Sequence, residues 1–202
     1  MTTFLERLDI HPDVQSFFKP FLKITCETLI FNQADYFEHA GKDFHRVPIT
    51  ESCWTAGEPD IATDIVICGS AMDAIAWLNL NRHRYQNFDN LSFISAGVVP
   101  FHFHAETIQK HKPKSKLHFI FSKDNLGAIC DLKLASFIRN KPLKIHYQEN
   151  RFKISFENKN YAFDWLSLNA LEKASRYNFR IRTHKPKNAT TYYEQLRNRY
   201  PA

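Results

Sequence analysis

The chain has 202 residues, 44% of them apolar and 14% aromatic, enough to bury a full hydrophobic core in one domain with or without an appendage. No run of about eighteen apolar residues occurs, and the first ten residues mix acid and base, which argues against a membrane span and a signal peptide and favours a cytoplasmic protein. The cysteines contain no C-x-x-C pair, which argues against a zinc knuckle or redox motif; we expect all four to be reduced and buried: Cys26, Cys53, Cys68 and Cys130.

The net charge of +6 is concentrated near the C-terminus. From residue 176 onward seven basic residues face a single acid, Glu194, whereas the first 175 residues are neutral overall. A polyanionic partner is therefore predicted to contact this segment, together with the lysines of residues 109–116. A solvated surface that only keeps the protein soluble is the alternative.

The N-terminal sixty residues predict a small α+β subdomain. Apolar residues at helical spacing within residues 4–20 predict two short helices, separated at Pro12. Two β-like runs, residues 28–31 and 36–39, are predicted to be joined by a turn. An irregular stretch then leads to Pro59.

Residues 61–150 predict the core of the fold. The run 64–68 is apolar after Asp64, as in strands that are buried on both faces of a parallel sheet. Ser70 is a predicted N-cap for the helix that follows it. Strand, turn and helix then recur, with strands predicted at 64–68, 91–94, 117–121 and 143–147 and helices at 71–80, 103–111 and 126–139. This order predicts an α/β fold, a mostly parallel sheet of about four strands flanked by helices.

Residues 151–202 predict a C-terminal hairpin and a basic helical extension. The hairpin strands are predicted at 151–156 and 160–163, followed by a helix capped by Asp164 that runs to about residue 174. Residues 178–182 alternate as in a strand, which places Phe179 and Ile181 on one face and Arg180 and Arg182 on the other. Thr190 or Thr191 is the predicted cap of a last helix that carries Tyr193, Leu196 and Tyr200.

Two segments of the core resemble the motifs of the Toprim (topoisomerase-primase) family. Residues 65–74, Ile-Val-Ile-Cys-Gly-Ser-Ala-Met-Asp-Ala, resemble its first motif, a strand followed by Glu-Gly or Glu-Ser, two variable residues and Asp-Ala. Gly69 stands in place of the glutamate. Residues 119–127 resemble its second motif, a strand followed by Asp-x-Asp-x-x-Gly, with Ser122 at the first aspartate, Asp124 at the second and Gly127 at the glycine.

The resemblance covers about residues 60–150 and implies a site at the strand ends. In active Toprim enzymes the glutamate serves acid–base chemistry and the aspartate pair holds magnesium, which prefers clustered carboxylate oxygens. Gly69 and Ser122 supply no carboxylate here, and Lys123 places a positive charge beside Asp124. The resemblance thus implies a degenerate member without catalysis, metal or other cofactor, in which Gly69, Ser122 and Asp124 converge. The upstream residues 44–48 and 53–54 are similar to Toprim-bearing proteins of bacterial mobile elements.

Open α/β sheets bind ligands at the carboxyl ends of their strands, where a phosphate could be held without metal. Tyr177 or Tyr192 is a candidate for stacking on bases, with ordinary core packing as the alternative. The cations predicted to contact phosphates are Lys123, Arg180, Arg182, Lys185 and Lys187. If each of the last four contacts a phosphate, the binding of single-stranded or duplex nucleic acid should weaken steeply with salt.

Histidines suggest other sites. His102 and His104 are predicted to lie on one face of a strand, but no third metal ligand accompanies them at a useful spacing. Glu38, His39 and His45 could supply a catalytic base, although no nucleophile motif is present, so we expect buried, hydrogen-bonded histidines.

Three functions follow from these patterns, and whether the chain is an enzyme is left open, with the missing acids favouring a non-catalytic protein. The first is a nucleic-acid-binding accessory of DNA replication, mobilisation or defence, with DNA or RNA as the partner. The second is a protein-interaction module or homodimer built on a Toprim-derived scaffold. The third is a metal-dependent nuclease or primase-type enzyme that uses other acids: Asp64, Asp73, Asp124 and Asp131.

Overall fold

The computed structural model describes residues 3–25, 27–111 and 115–199. The helices are α1 (Phe4–Arg7), α2 (Pro12–Phe18), α3 (Ala71–Asn81), α4 (His102–His111), α5 (Asn125–Arg139), α6 (Leu168–Ser175) and α7 (Tyr192–Arg197). Short 3₁₀ turns span Lys19–Phe21 and Arg82–Arg84. The strands are β1 (Lys23–Ile24), β2 (Thr28–Gln33), β3 (Tyr36–Gly41), β4 (His45–Arg46), β5 (Trp54–Gly57), β6 (Asp64–Cys68), β7 (Leu91–Ser95), β8 (Lys116–Phe119), β9 (Leu143–Gln148), β10 (Arg151–Phe156), β11 (Lys159–Phe163) and β12 (Ile181–Thr183).

A mixed five-stranded sheet forms the centre of the fold, in the order β12-β8-β6-β7-β5. The first four strands are parallel, and β5 runs antiparallel to β7. Helices and further strands cover both faces, so β6 and β7 are almost wholly buried. The α/β class with a parallel-containing sheet is therefore confirmed.

The two faces of this sheet belong to two hydrophobic cores. Val66 and Cys68 pack with α3, α7 and the N-terminal helices on one face. Ile65, Ile67 and Phe119 pack with α4, α5, α6 and the C-terminal strands on the other. Successive residues of β6 point to opposite faces, so this one strand joins both cores.

The strand predicted at 143–147 is wrongly placed in the parallel series. It forms β9, which pairs antiparallel with β10 in a separate sheet of order β11-β10-β9. The physical reason is a two-residue turn: Glu149 and Asn150 have φ of 55° and 58°, a conformation that returns a strand directly onto itself. The fourth parallel strand is β12, beside β8.

Two further sheets, formed by residues 23–46 and 143–163, are antiparallel. The predicted N-terminal hairpin is present as β2 and β3, within a sheet of order β1-β2-β3-β4. Strand β5 lies in the segment predicted as the N-terminal subdomain, yet it pairs with β7 in the central sheet. The division into residues 1–60, 61–150 and 151–202 stays a prediction.

Helix caps follow the sequence in part. Ser70 caps α3 and Thr191 caps α7, as expected. Asp164 is not a cap, because α6 begins only at Leu168 after the cap Ser167, while Asp164 pairs with Arg151 at 2.8 Å. The strand predicted at 178–182 begins later, at Ile181, since Arg180 has a positive φ of 54°.

Three of the four cysteines lie in the described residues and are free thiols. Cys68 and Cys130 are buried and Cys53 is half-buried. Burial raises the pKa of Cys53 and of Cys130 to about 12, so both thiols stay protonated and unreactive near neutral pH. The remaining predictions for Cys26, for the lysines at 112 and 114 and for Tyr200 lie outside the described residues. None of the described helices is both long and apolar enough to cross a membrane.

Candidate functional site

The carboxyl ends of β6, β7 and β8 meet at one edge of the central sheet. Ile67 pairs with Ile94 of β7 and with Phe119 of β8. The backbone N–H of Ile120 then donates to the carbonyl of Ile67 at 2.9 Å. The two motif segments that follow β6 and β8 are therefore adjacent, as the resemblance implied.

Gly69 lies at this edge between the segments that follow the two neighbouring strands. A Cβ atom placed on it would lie 3.6 Å from the carbonyl oxygen of Gly97 and 3.6 Å from the ring of Phe121, which is ordinary van der Waals contact. Neither space nor backbone conformation requires a glycine here. The missing carboxylate at position 69 is consequently a chemical difference from the family motif and has no steric cause.

Ser122 and Asp124 converge at the start of α5. Both the Ser122 hydroxyl, at 2.7 Å, and the Gly127 N–H, at 2.8 Å, donate to Asp124 Oδ1, so Asp124 is the N-cap of α5. Partial burial raises the pKa of Asp124, but these hydrogen bonds outweigh it and hold the pKa below its usual value. Gly127 is required sterically, because a Cβ would overlap the carbonyl oxygen of Ser122.

An internal ion pair lies behind this motif. Lys185 Nζ is 2.7 Å from Asp131 Oδ2 and donates to the carbonyl oxygens of Phe121, at 3.0 Å, and Ser122, at 2.9 Å. Burial raises the pKa of Asp131 to about 6, opposed by the charge of Lys185. An ammonium has three N–H donors, and all are used here. Lys185 therefore has no donor left for a phosphate, and we leave it out of the proposed interface.

A carboxylate from the N-terminal sheet reaches the same edge. Glu38, on β3, is fully buried and accepts the backbone N–H groups of Ala71, at 2.8 Å, and Met72, at 3.1 Å. Its Oε1 is also 2.9 Å from Nε2 of His45. Glu38 thus satisfies the first amides of α3, two residues beyond Gly69, and His45 is the hydrogen-bonded histidine that the sequence suggested.

Asp73 is a second buried carboxylate with a structural role. Its Oδ1 accepts the backbone N–H of Tyr193 at 2.9 Å, and its Oδ2 accepts the Ser70 hydroxyl at 2.7 Å. Burial raises its pKa above the usual value. Asp73 consequently joins α7 to the start of α3.

These residues do not fit a magnesium site. Gly69 supplies no ligand, Asp124 caps a helix, and Asp131 is neutralised by Lys185. Asp64 starts β6, at the end of the sheet opposite to Asp124, so the four acids considered for an enzyme do not form one cluster. Within residues 3–25, 27–111 and 115–199, no three His, Cys, Asp or Glu side chains come together as a metal site.

Exposed cations follow the open edge of the sheet along β12. Arg180 and Arg182 are exposed at the start of this strand, and Lys187 is exposed beyond its end. Lys123 reaches the same edge: its Nζ donates to the carbonyl oxygen of Lys187 at 3.1 Å. We call these four residues, Lys123, Arg180, Arg182 and Lys187, the basic edge strip. An extended chain from 180 to 187 would span at most about 25 Å.

The tyrosines proposed for base stacking are engaged in packing. Tyr177 contacts Phe156 at 5.5 Å and Phe179 at 4.8 Å between ring centroids. Tyr192 is buried in the core formed by α3 and α7. Packing, the alternative weighed from the sequence, accounts for both rings.

His102 and His104 lie on α4, which confirms the helix predicted at 103–111, and the prediction that these two histidines share one face of a strand is wrong. His104 is buried and its Nδ1 accepts the backbone N–H of Phe101 at 2.8 Å. The segment forms a helix because its buried residues, His104, Ala105 and Ile108, recur at helical spacing and so lie on one face.

Asp64, His118 and His184 form a hydrogen-bonded chain that the sequence did not suggest. His118 Nε2 is 2.8 Å from Asp64 Oδ1, and His118 Nδ1 is 3.0 Å from His184 Nε2. Burial lowers the pKa of both imidazoles, and that of His184 falls to about 4 with the added repulsion of His118, Arg84 and Arg182. These three residues are 54 and 66 positions apart in sequence, so no local pattern could have shown them.

From the hydrogen-bonded chain of Asp64, His118 and His184 we predict that the protein becomes less stable in acid. The folded pKa values lie below the unfolded value of about 6.5, so the stabilisation is present above about pH 6.5 and is lost as the pH falls toward 4. The urea midpoint should fall over this range, and His118→Gln/His184→Gln should reduce that fall. The control His83→Gln/His146→Gln, which changes two exposed histidines, should keep it; an equal effect of both pairs would contradict the assignment.

Comparisons with known proteins add little to this picture. No family model matches the chain, and no curated protein matches it. The primase fragment of the bacteriophage T7 primase-helicase protein is similar in structure, with a TM-score of 0.39 and 10% identity over 88% of this chain. This chain covers 55%, about half, of that one. Such a low TM-score transfers neither fold details nor activity, so membership of the Toprim family stays a proposal.

Proposed function

We propose that this chain is a non-catalytic, Toprim-like protein that holds DNA or RNA by its phosphates through the basic edge strip. The observation that carries the proposal is the position of these four exposed cations along the open edge of the sheet, from the start of β12 at Arg180 and Arg182 to the carboxyl-end edge at Lys123 and Lys187, where the nearby carboxylates are engaged inside the protein. Phosphate contacts of this kind give affinity without base readout, so sequence preference should be slight.

The absence of catalysis rests on the same edge. Acid–base chemistry and magnesium binding both need carboxylates free to contact substrate or metal. Gly69 has no side chain, and Glu38 and Asp124 each serve the first amides of a helix. The wider role, an accessory of DNA replication, mobilisation or defence, is part of this proposal and follows from the resemblance alone.

The test is a fluorescence-anisotropy titration with labelled DNA and RNA at low and physiological salt. If four phosphates are met, the logarithmic slope of affinity against salt should be about −3 on single strands and about −4 on duplex. Replacing the strip, Lys123→Gln/Arg180→Gln/Arg182→Gln/Lys187→Gln, should flatten the slope. The same samples with magnesium or manganese should neither cleave nor synthesise nucleic acid.

A matched control carries the same loss of charge on exposed lysines elsewhere: Lys19→Gln/Lys23→Gln/Lys144→Gln/Lys159→Gln. This variant should keep the steep slope. An equal loss of slope in both variants would contradict the assignment of binding to the basic edge strip. No binding to any nucleic acid at low salt would contradict the proposed function.

A protein-interaction role is the second candidate, favoured by apolar side chains at the same edge of the sheet. Val98 and Val99, which follow β7, are 38% and 40% exposed, and Leu126 on α5 is 43% exposed. The Cys130 thiol donates to the carbonyl oxygen of Val98 at 3.4 Å, which holds this loop against α5. A failed titration would favour this role.

A further inference from the structure

A cavity of about 850 Å³ lies on the side of the molecule formed by α1, the end of β3 with β4, and α7. Phe4 and Leu8, from the N-terminal segment, contribute an apolar part of the lining, and Tyr193 and Arg197, from α7, contribute another part. The volume lies in the range of sites that enclose small ligands, about 300–1,000 Å³. None of the basic edge strip lines it.

The charges that line this cavity are mostly positive. Arg7, Lys42 and Arg197 line it together with a single acid, Glu194. That acid is already engaged, because Glu194 Oε2 accepts the backbone N–H of Thr190 at 2.8 Å. The cavity therefore favours an anion, with guanidinium and ammonium groups that suit a phosphate.

His45 presents one unpartnered nitrogen on the cavity wall. Its Nε2 is 2.9 Å from Glu38 Oε1, and the carboxylate oxygens of Glu38 also accept two backbone N–H groups. Glu38 thus accepts from Nε2–H of His45. In the described part of the chain, Nδ1 of His45 has no hydrogen-bond partner and is the nitrogen available to a ligand.

Tyr193 supplies a second, independent sign of a ligand. Its side chain lines the cavity, the residue is 4% exposed, and its hydroxyl has no hydrogen-bond partner among the described residues. Burial raises the pKa of this hydroxyl, which keeps it protonated as a donor. The ring is held between His45, at 5.0 Å, and the Arg197 guanidinium, at 5.8 Å. A buried hydroxyl without a partner is costly unless something else accepts from it.

We propose that this cavity binds a phosphorylated small molecule that carries an aromatic ring. The phosphate would accept from Tyr193, Lys42 and Arg197, and the ring would pack on Phe4 and Leu8. This site is separate from the basic edge strip, so its test and that of nucleic-acid binding can fail independently.

The probes are adenosine 5′-monophosphate, adenosine and inorganic phosphate, each titrated calorimetrically into the full chain at low ionic strength. Adenosine 5′-monophosphate should bind most tightly, because it alone offers both the charge and the ring. Adenosine binding as tightly would overturn the anion site, and phosphate binding as tightly would overturn the ring contact. No saturable binding of adenosine 5′-monophosphate at about 1 mM would overturn the proposal as a whole.

Two variant pairs assign the contacts. Tyr193→Phe should weaken adenosine 5′-monophosphate binding about tenfold without lowering the melting temperature, since its hydroxyl bonds no described protein group. Tyr192→Phe, a neighbour that does not line the cavity, should leave the affinity unchanged. Arg197→Gln should weaken binding to a similar degree, whereas Arg199→Gln should not. Equal effects within either pair would overturn the assigned contacts.

Discussion

Replacing Lys185 with methionine should lower the free energy of unfolding by about 3–5 kcal/mol, because it leaves the Asp131 carboxylate buried without its counter-charge. The carbonyl oxygens of Phe121 and Ser122 lose their donor as well. Methionine keeps the length and apolar character of the lysine stem, so lost packing contributes little. Urea unfolding followed by circular dichroism measures the change.

The deficit should depend on pH in a definite direction. The pKa of Asp131 is raised by burial to about 6, so its contribution to stability is present below about pH 4 and is lost as the pH rises through about 6. Without Lys185 this pKa rises further. The variant should therefore be closer to the wild type at pH 5 than at pH 8, a comparison that a simple packing defect would not reproduce.

Two further variants separate the ion pair from other causes. Lys187→Met changes an exposed lysine two residues away and should stay within about 0.5 kcal/mol of the wild type. Lys185→Met/Asp131→Asn removes both charges and should recover much of the loss. A deficit below about 1 kcal/mol for Lys185→Met would show that the pair contributes little to stability.

The central strands could be predicted from the sequence because burial on both faces leaves a visible signature. Residues 64–68 are nearly all apolar, and Ser70 stands where an N-cap belongs. Strand β9 was misplaced because strand propensity does not show which partner a strand chooses. Its partner is set by the turn at Glu149 and Asn150, the same residue pair as Glu157 and Asn158 in the hairpin that was predicted, and asparagine tolerates the left-handed backbone that both turns use.

The candidate site could be predicted only as far as adjacent strand ends allow. Parallel strands place their carboxyl ends at one edge, so the approach of Gly69 to the segment after β8 followed from topology. The partners of the charged groups did not follow from the topology. Glu38 on β3 and Ala71 on α3 are 33 residues apart, and Lys185, beyond the end of β12, meets Asp131 on α5, contacts that no local spacing encodes.

Glu38→Gln should lower the free energy of unfolding by about 2–4 kcal/mol, although it preserves the size of the side chain. The fully buried carboxylate accepts from the N–H groups of Ala71 and Met72 and from His45. An amide keeps one oxygen and turns its other end into a donor, which then faces groups that themselves donate. The negative charge at the N-terminus of α3 is lost at the same time.

The local readout is hydrogen exchange. The amides of Ala71 and Met72 should exchange faster in Glu38→Gln by more than the loss of global stability explains, because their acceptor is what the substitution removes. Glu58→Gln, at an exposed acid, should leave both exchange and stability within about 0.5 kcal/mol of the wild type. Unchanged protection of these two amides would contradict the role assigned to Glu38. Faster exchange confined to these two amides would show that Glu38, on β3 of the N-terminal sheet, holds the start of α3 in place. The carboxylate at this edge would then come from a different sheet than the one that precedes Gly69, the position that lacks a carboxylate.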